Sequence, residues 1–158
     1  MREKINLLIL LLGCVFVQIF LRRNFLFFPD IIVLAVVFAG IFFGANFGAW
    51  FGFTAGFLRG CFSCAPLFLD AFLFLVIGIV SSFFANKFYR YSPVVQAFIS
   101  ALAMFVLILG HVLYFNFVRG SSVNIFSLAA ENWKMIGLTI LFAPIFFVGI
   151  KKIVKTQG

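Results

Sequence analysis

Residues 40–60 read GIFFGANFGAWFGFTAGFLRG and contain six glycines at an unbroken spacing of four. Residues four apart lie on nearly the same face of an α-helix. Because glycine has no side chain, such a row leaves a shallow groove into which a second helix can pack closely. The sequence therefore predicts tight helix packing along a row made of Gly40, Gly44, Gly48, Gly52, Gly56 and Gly60.

The glycine row does not identify the helix that packs on it. The groove fits a helix of the same chain, and it also fits another protein or a second copy of the chain. Successive glycines rotate by roughly 40° around the helix, so a partner helix is expected to cross obliquely. Glycine is also a weak helix former, and a break is expected near Gly44 and Asn46.

The composition around this row is that of an integral membrane protein. The chain has 158 residues, of which 65% are hydrophobic and 10% charged. Soluble domains carry about 25% charged residues, so too little polar surface is present to coat one. The mean hydropathy is +1.24. A single transmembrane domain over residues 1–158 is expected, in contact with the lipid bilayer.

Apolar runs predict an all-α bundle of about six transmembrane helices, since backbone groups in lipid must be satisfied internally. The third run is short for a helix that crosses the bilayer, and we expect it to be tilted, broken or partly re-entrant. The first is expected to be a retained helix, because no small-residue cleavage site follows it. The six runs are residues 5–21, 28–44, 45–58, 66–85, 94–118 and 133–150.

The basic residues orient this bundle. The net charge of +8 is spread in short groups between apolar runs, which is typical of membrane anchoring and not of a nucleic-acid-binding arm. With both termini in the cytoplasm, seven basic residues lie inside and five outside, which the positive-inside rule favours. The inner set is Arg2, Lys4, Lys87, Arg90, Lys151, Lys152 and Lys155, and the outer set is Arg22, Arg23, Arg59, Arg119 and Lys134.

Three charged residues lie at or near the ends of the predicted spans, on what would be the outer side. Asp30 follows Pro29 at the start of the second run, Arg59 follows the third run, and Asp70 lies in the first turn of the fourth. Ionisable residues inside a membrane are costly and are usually paired, so the three are expected to form a cluster. The alternative for Asp30 is a simple helix cap.

The remaining polar residues indicate little chemistry. His111 is the only histidine, and with no acid near it in the sequence we expect it to be a packed, hydrogen-bonded side chain. Cys61 and Cys64 form a C-x-x-C without a second ligand pair, so neither zinc nor redox chemistry is expected. The four acidic residues and one histidine form no catalytic motif. We therefore expect no enzymatic activity, cofactor or metal.

The segment from residue 29 to residue 72 resembles the MreD family of rod shape-determining membrane proteins. The resemblance rests on Pro29-Asp30 opening a span and on Gly44-x-x-x-Gly48 and Gly52-Phe53-x-x-Gly56. It also rests on residues between the third and fourth spans, namely Ser63, Pro66-Leu67 and Ala71-Phe72.

The resemblance implies a non-enzymatic scaffold of the bacterial cell-elongation complex, in the cytoplasmic membrane, that organises peptidoglycan synthesis and cell shape. Its partners would be MreC and, through it, MreB and the peptidoglycan elongation synthases, and self-association is also open. The alternative class is the substrate-binding membrane subunit of an energy-coupling-factor vitamin transporter. That class needs a polar pocket open to the outer face, for which the candidates would be Asp30, Arg59, Asp70, His111, Asn116 and the outer loop at residues 119–132. A short interfacial helix is the alternative within that loop, where Ile125, Phe126 and Leu128 are apolar.

Overall fold

The computed structural model describes residues 9, 11–18, 20, 29–62, 66–87, 92–118, 120 and 125–154. Every regular element among them is an α-helix. In chain order the helices are α1 (residues 11–18, with 9 and 20 also helical), α2 (Ile31–Phe43), α3 (Ala45–Phe62), α4 (Leu67–Lys87), α5 (Pro93–Phe117) and α6 (Ile125–Val154).

Helix α2 lies at the centre of the bundle. Its sequence, IIVLAVVFAGIFF, is apolar on every side, and all residues from Ile32 to Ile41 are buried. A helix that is hydrophobic all round has to be surrounded by other elements, and α2 packs against α3, α4, α5 and α6. The ring of Phe38, for example, lies 5.7 Å from the ring of Phe147 in α6.

A single residue, Gly44, separates α2 from α3. Its φ of 88° and ψ of 174° fall in a region that is essentially restricted to glycine. The turn sends α3 back along α2, so that the start of α2 and the end of α3 meet at one end of the bundle, where Asp30 and Arg59 are in contact. The predicted break near Gly44 is confirmed, and it divides the glycine row between two helices.

Replacing Gly44 with alanine should destabilise the protein by about 1–3 kcal/mol, because a Cβ strains this backbone conformation. Crowding does not contribute, since no atom lies within 4 Å of the added carbon. The control is Gly137→Ala, which has equally open surroundings but lies inside α6 and should be neutral or stabilising by up to about 1 kcal/mol. Unfolding by SDS in mixed micelles gives the free energy of unfolding of both variants. Equal values would mean that a side chain at residue 44 does not strain the backbone there.

The glycines of α3 form a closely packed seam with α4. A Cβ placed on Gly52 or Gly56 would collide with a backbone carbonyl oxygen, that of Phe74 or Asp70. The facing residue number falls as the glycine number rises, so the two helices are antiparallel. From one end of the seam to the other, Gly48, Gly52, Gly56 and Gly60 face Gly78, Phe74, Asp70 and Leu67.

The same seam extends to α2. A Cβ on Gly40 would lie 2.5 Å from the carbonyl oxygen of Gly78, and one on Gly48 would lie 2.7 Å from that oxygen. Five members of the glycine row therefore pack against helices of the same chain. Of the alternatives that the sequence left open, this is packing within the chain and not against another protein or a second copy. Gly44 packs against nothing within 4 Å and forms the turn instead.

Helices α5 and α6 complete the bundle. Helix α5 runs antiparallel to α4, with Gly110 against Leu73 and Ala103 near Ser81. Helix α6 runs parallel to α2, since Thr139 contacts Asp30 and Phe147 contacts Phe38. The ends of α1, α3 and α5 thus come together with the beginnings of α2, α4 and the apolar part of α6.

Three helices are long and apolar enough to cross a membrane: Leu67–Ala85 of α4, Pro93–Phe117 of α5 and Asn132–Ile150 of α6. They correspond to the predicted spans at 66–85, 94–118 and 133–150. Helix α2 is apolar, but its 13 residues reach only about 20 Å, against a hydrocarbon core of about 30 Å. Among the described residues, α3 is likewise not long and apolar enough to count as a membrane-crossing helix.

The start of α6 differs from the prediction. The last span was predicted to begin at residue 133, whereas the helix begins at Ile125. Glu131 and Asn132 interrupt the apolar run, but Leu128, Ala129, Ala130 and Glu131 are among the better helix formers. Hydropathy locates the membrane-crossing part of a helix and not its first turn.

Candidate functional site

Asp30 begins the candidate site as the N-cap of α2. Its carboxylate Oδ1 accepts a hydrogen bond from the backbone N–H of Val33 at 3.4 Å. A carboxylate at this position satisfies an otherwise unpaired helix donor and is favoured by the helix dipole. The side chain is fully buried, so capping alone does not compensate for its charge.

Asp30 also connects α2 to α1 and α6. The Gln18 side chain donates from Nε2 to Asp30 Oδ1 at 2.9 Å and accepts at Oε1 from the backbone N–H of Ile32 at 3.0 Å. On the other side, the backbone N–H of Asp30 donates to Thr139 Oγ1 at 2.9 Å. The Thr139 hydroxyl in turn donates to the carbonyl of Met135 at 2.7 Å. These bonds fix the entry of α2 between its two neighbours.

Replacing Thr139 with valine should destabilise the protein by about 1–3 kcal/mol. Valine keeps the shape of the side chain but leaves the buried N–H of Asp30 without its acceptor. Thr139→Ser keeps the hydroxyl and is the matched control, with a smaller expected loss. SDS unfolding of both variants tests this, and a valine variant as stable as the serine variant would contradict a role for this hydrogen bond.

Arg59 brings the two aspartates together. Its Nη1 lies 2.9 Å from Asp30 Oδ2, and its Nε lies 4.0 Å from Asp70 Oδ2. The guanidinium carbon also lies 5.2 Å from the centroid of the Phe74 ring, within the range of a cation–π contact. The antiparallel α3–α4 seam explains the geometry, because it sets the last turn of α3 beside the first turn of α4.

His111 of α5 is the fourth charged or titratable member of the cluster. Its Nε2 lies 3.2 Å from Asp70 Oδ1, and its Nδ1 lies 2.9 Å from the carbonyl oxygen of Leu107. The expectation of a packed, hydrogen-bonded histidine is met. No acid lies near His111 in the sequence, but the fold brings Asp70 of α4 against α5.

A pocket of about 240 Å³ adjoins this cluster. Its polar wall consists of Asp30, Arg59, His111 and Asn132, and its apolar wall of Met104, Leu107, Ile108 and Met135. The pocket lies between the last turn of α3, the second half of α5 and the beginning of the apolar part of α6.

The structure thus brings together the predicted cluster of Asp30, Arg59 and Asp70 and adds side chains that sequence reasoning missed. Gln18 and Thr139 were overlooked, although each is a polar residue inside an apolar run, which is the signal that could have found them. Asn116, a candidate for a transporter pocket, is exposed and is not part of the lining.

The C-x-x-C motif stays untested, since Cys64 lies outside the described residues, while Cys61 is a free, exposed thiol. In the part of the chain that the structure describes, no group of three or more His, Cys, Asp or Glu side chains is placed to hold a metal ion.

In the part of the chain that the structure describes, the fold is all-helical, and three of its helices are long and apolar enough to cross a membrane, which indicates a membrane-associated protein. Large aromatic side chains are exposed on the outside of several helices, as lipid contact requires; examples are Trp50, Phe68, Phe83, Phe105 and Phe117. Comparison with family models, with curated proteins and with solved structures gives no match.

Proposed function

We propose that this protein is a MreD-type scaffold of the bacterial cell-elongation complex, with six membrane-embedded helical segments and both termini in the cytoplasm. It would bind MreC in the cytoplasmic membrane and, through MreC, help to organise MreB and the peptidoglycan elongation synthases. In this role the protein performs no chemistry and provides a rigid bundle on which other membrane helices assemble.

The observation that carries the proposal is the position of the residues that resemble the MreD family. Pro29 and Asp30 open α2, Gly52 and Gly56 form the α3–α4 seam, and Ala71 lies directly under Gly56. These residues build one structural unit, made of α2, α3 and α4, and the resemblance therefore follows the part of the fold with the most exacting packing. A rigid unit of this kind suits a scaffold.

The pocket beside Arg59 is the observation that favours the alternative, a vitamin-binding transporter subunit. Sites that enclose a drug-sized molecule usually measure about 300–1,000 Å³. The described pocket, at about 240 Å³, is below that range, and the acidic residue in its lining, Asp30, already contacts Arg59. Both features support the scaffold over the transporter subunit.

Affinity purification of the tagged protein from its native host, in a mild detergent and followed by mass spectrometry, tests the proposal. We expect MreC and the elongation synthases to be enriched over a control purification of an unrelated multi-pass protein with the same tag. Depletion of the protein should also convert rod-shaped cells to round ones.

Enrichment of a transmembrane coupling subunit together with two ATPases would overturn the scaffold proposal in favour of the transporter subunit. Normal rod shape after complete depletion, with no enrichment of MreC, would reject the scaffold as well.

A further inference from the structure

We propose that the groove between α3 and α4 binds one acyl chain of an anionic phospholipid whose head group lies against Lys87. The groove opens on the outside of the bundle and has a volume of about 440 Å³. Its lining consists of Ala49, Trp50, Phe53, Leu75 and Ile79. The site is independent of the proposed scaffold role, because lipid binding needs no protein partner.

The glycine seam creates this groove. Gly48 of α3 and Gly78 of α4 face each other with their backbones in close contact, so neither helix places a side chain between them. The next residue, Ala49, is half-buried and adds only a methyl group to the lining. The larger side chains of Trp50 and Ile79 are 73% and 41% exposed and form the rims. A furrow therefore remains between two rows of large apolar side chains.

The size and chemistry of the groove fit a single hydrocarbon chain. Apart from the indole N–H of Trp50, its lining side chains are apolar. At about 30 Å³ per water-sized unit of liquid volume, about 440 Å³ corresponds to roughly 15 non-hydrogen atoms, close to one lipid acyl chain. An α-helix of another protein is about 10–12 Å wide with its side chains and would rest on the two rims, whereas a flexible chain reaches the floor.

A row of side chains leads from the groove to a positive charge. Leu75, Ile79, Phe83 and Lys87 follow one another at a spacing of four on α4, which places them on nearly the same face. Phe83 and Lys87 are exposed. Lys87 lies about 12 Å beyond Ile79 and about 18 Å beyond Leu75 along the helix axis. Since half of the hydrocarbon core is about 15 Å thick, a lipid with its head group at Lys87 places the distal part of its chain in the groove.

The charges at this end of the bundle favour an anionic head group. Three lysines of the described helices lie here: Lys87 in α4, and Lys151 and Lys152 in the last turns of α6. The acidic residues of the described helices and caps all belong to the opposite end, namely Asp30, Asp70 and Glu131. Anionic lipids attract lysine and arginine near the membrane surface, by roughly fivefold in affinity per residue. The groove and Lys87 together therefore match the chain and the head group of one anionic lipid.

Quenching of Trp50 fluorescence by brominated lipids tests the site in a bilayer. The chain has two tryptophans, and Trp133→Phe leaves Trp50, in the groove, as the only reporter. The full-length protein with this change is reconstituted in mixtures of phosphatidylcholine and phosphatidylglycerol, with bromine on the acyl chains of one lipid at a time. Comparison of the two quenching curves gives the affinity of the anionic lipid relative to the neutral lipid at Trp50.

Four further substitutions in this background separate the parts of the site. Lys87→Gln removes the charge, and Lys134→Gln removes an exposed lysine at the opposite end of the bundle. Ala49→Phe fills the floor of the groove, and Ile79→Phe narrows the groove from its exposed rim. Size-exclusion chromatography in detergent checks that each variant is folded, and Ile79→Phe keeps the test decisive if Ala49→Phe disturbs the seam.

We expect the anionic lipid to bind about fivefold more tightly than the neutral lipid in the parent protein and in Lys134→Gln. This preference should disappear in Lys87→Gln and should fall at least about twofold in each folded filling variant. Equal affinities in the parent protein, or a preference that Lys87→Gln leaves unchanged, would overturn the anionic site.

Two other results would also reject the proposal. An unchanged preference in both filling variants would place the lipid outside the groove. If neither brominated lipid quenches Trp50, a second copy of the protein covers the groove in place of lipid. None of these outcomes involves MreC, so a failure of the lipid site and a failure of the scaffold role are distinguishable.

Discussion

Replacing Arg59 with methionine should destabilise the protein by about 3–5 kcal/mol, because it leaves two buried carboxylates without the cation between them. Asp30 is fully buried and Asp70 is 1% exposed, so water cannot take over the role of the guanidinium. Methionine fills most of the space of the arginine stem, which keeps cavity formation out of the measurement. Reversible unfolding by SDS in mixed micelles gives the free energy.

The matched control is Lys87→Met at the last turn of α4. It removes the same charge from an exposed helix end and should change stability by less than about 0.5 kcal/mol. A loss as large as that of Arg59→Met would mean that net charge, and not the buried cluster, governs stability.

Double-mutant cycles separate the two carboxylates. Arg59 Nη1 lies 2.9 Å from Asp30, whereas Nε lies 4.0 Å from Asp70. The coupling free energy between Arg59→Met and Asp30→Asn should therefore exceed that between Arg59→Met and Asp70→Asn, within the usual range of about 0.5–3 kcal/mol. Zero coupling with Asp30, or the reverse order, would be incompatible with the described cluster.

Replacing Gly52 with leucine should separate α3 from α4 and destabilise the protein by at least about 3 kcal/mol, at or above the upper end of ordinary overpacking. The new Cβ would meet the backbone carbonyl of Phe74, and a backbone atom cannot move aside as a flexible side chain can. The whole helix has to shift, which also moves Arg59 away from the aspartates. Gly56→Leu should be destabilising to a similar degree, because its new Cβ would meet the backbone carbonyl of Asp70.

Gly149→Leu is the control for the added bulk and hydrophobicity. Gly149 is exposed in α6, and a Cβ added there would have no atom within 4 Å, so leucine should be tolerated. Thermal stability in detergent, followed by size-exclusion chromatography, compares the three variants. Unchanged stability of Gly52→Leu and Gly56→Leu would reject the seam as a tight interface.

The sequence predicted much of this architecture because membrane burial and glycine spacing are local signals. The apolar runs located α4, α5 and the crossing part of α6 to within a few residues, and the glycine row indicated both close packing and the break at Gly44. The proximity of Asp30, Arg59 and Asp70 was also predicted, since charges in an apolar bundle have to be paired.

The partners in the site depended on the tertiary structure. The contact of His111 with Asp70 and the bonds of Gln18 and Thr139 to the start of α2 join residues that are far apart in the chain. No periodicity in the sequence reports which helices are neighbours or how they are staggered. Likewise, a short interfacial helix around Ile125, Phe126 and Leu128 was only an alternative to a loop, and the structure decides that this helix is continuous with the last span.

The sequence by itself determined that this protein is helical, membrane-associated and tightly packed along one glycine-rich face, because hydrophobicity and residue spacing act within each helix. Only the tertiary structure decided that the packing partner of that face is α4 of the same chain and that the charged cluster extends to α5 and borders a pocket. The physical reason is that close backbone approach fixes the stagger of two helices. That stagger then determines which distant polar groups meet.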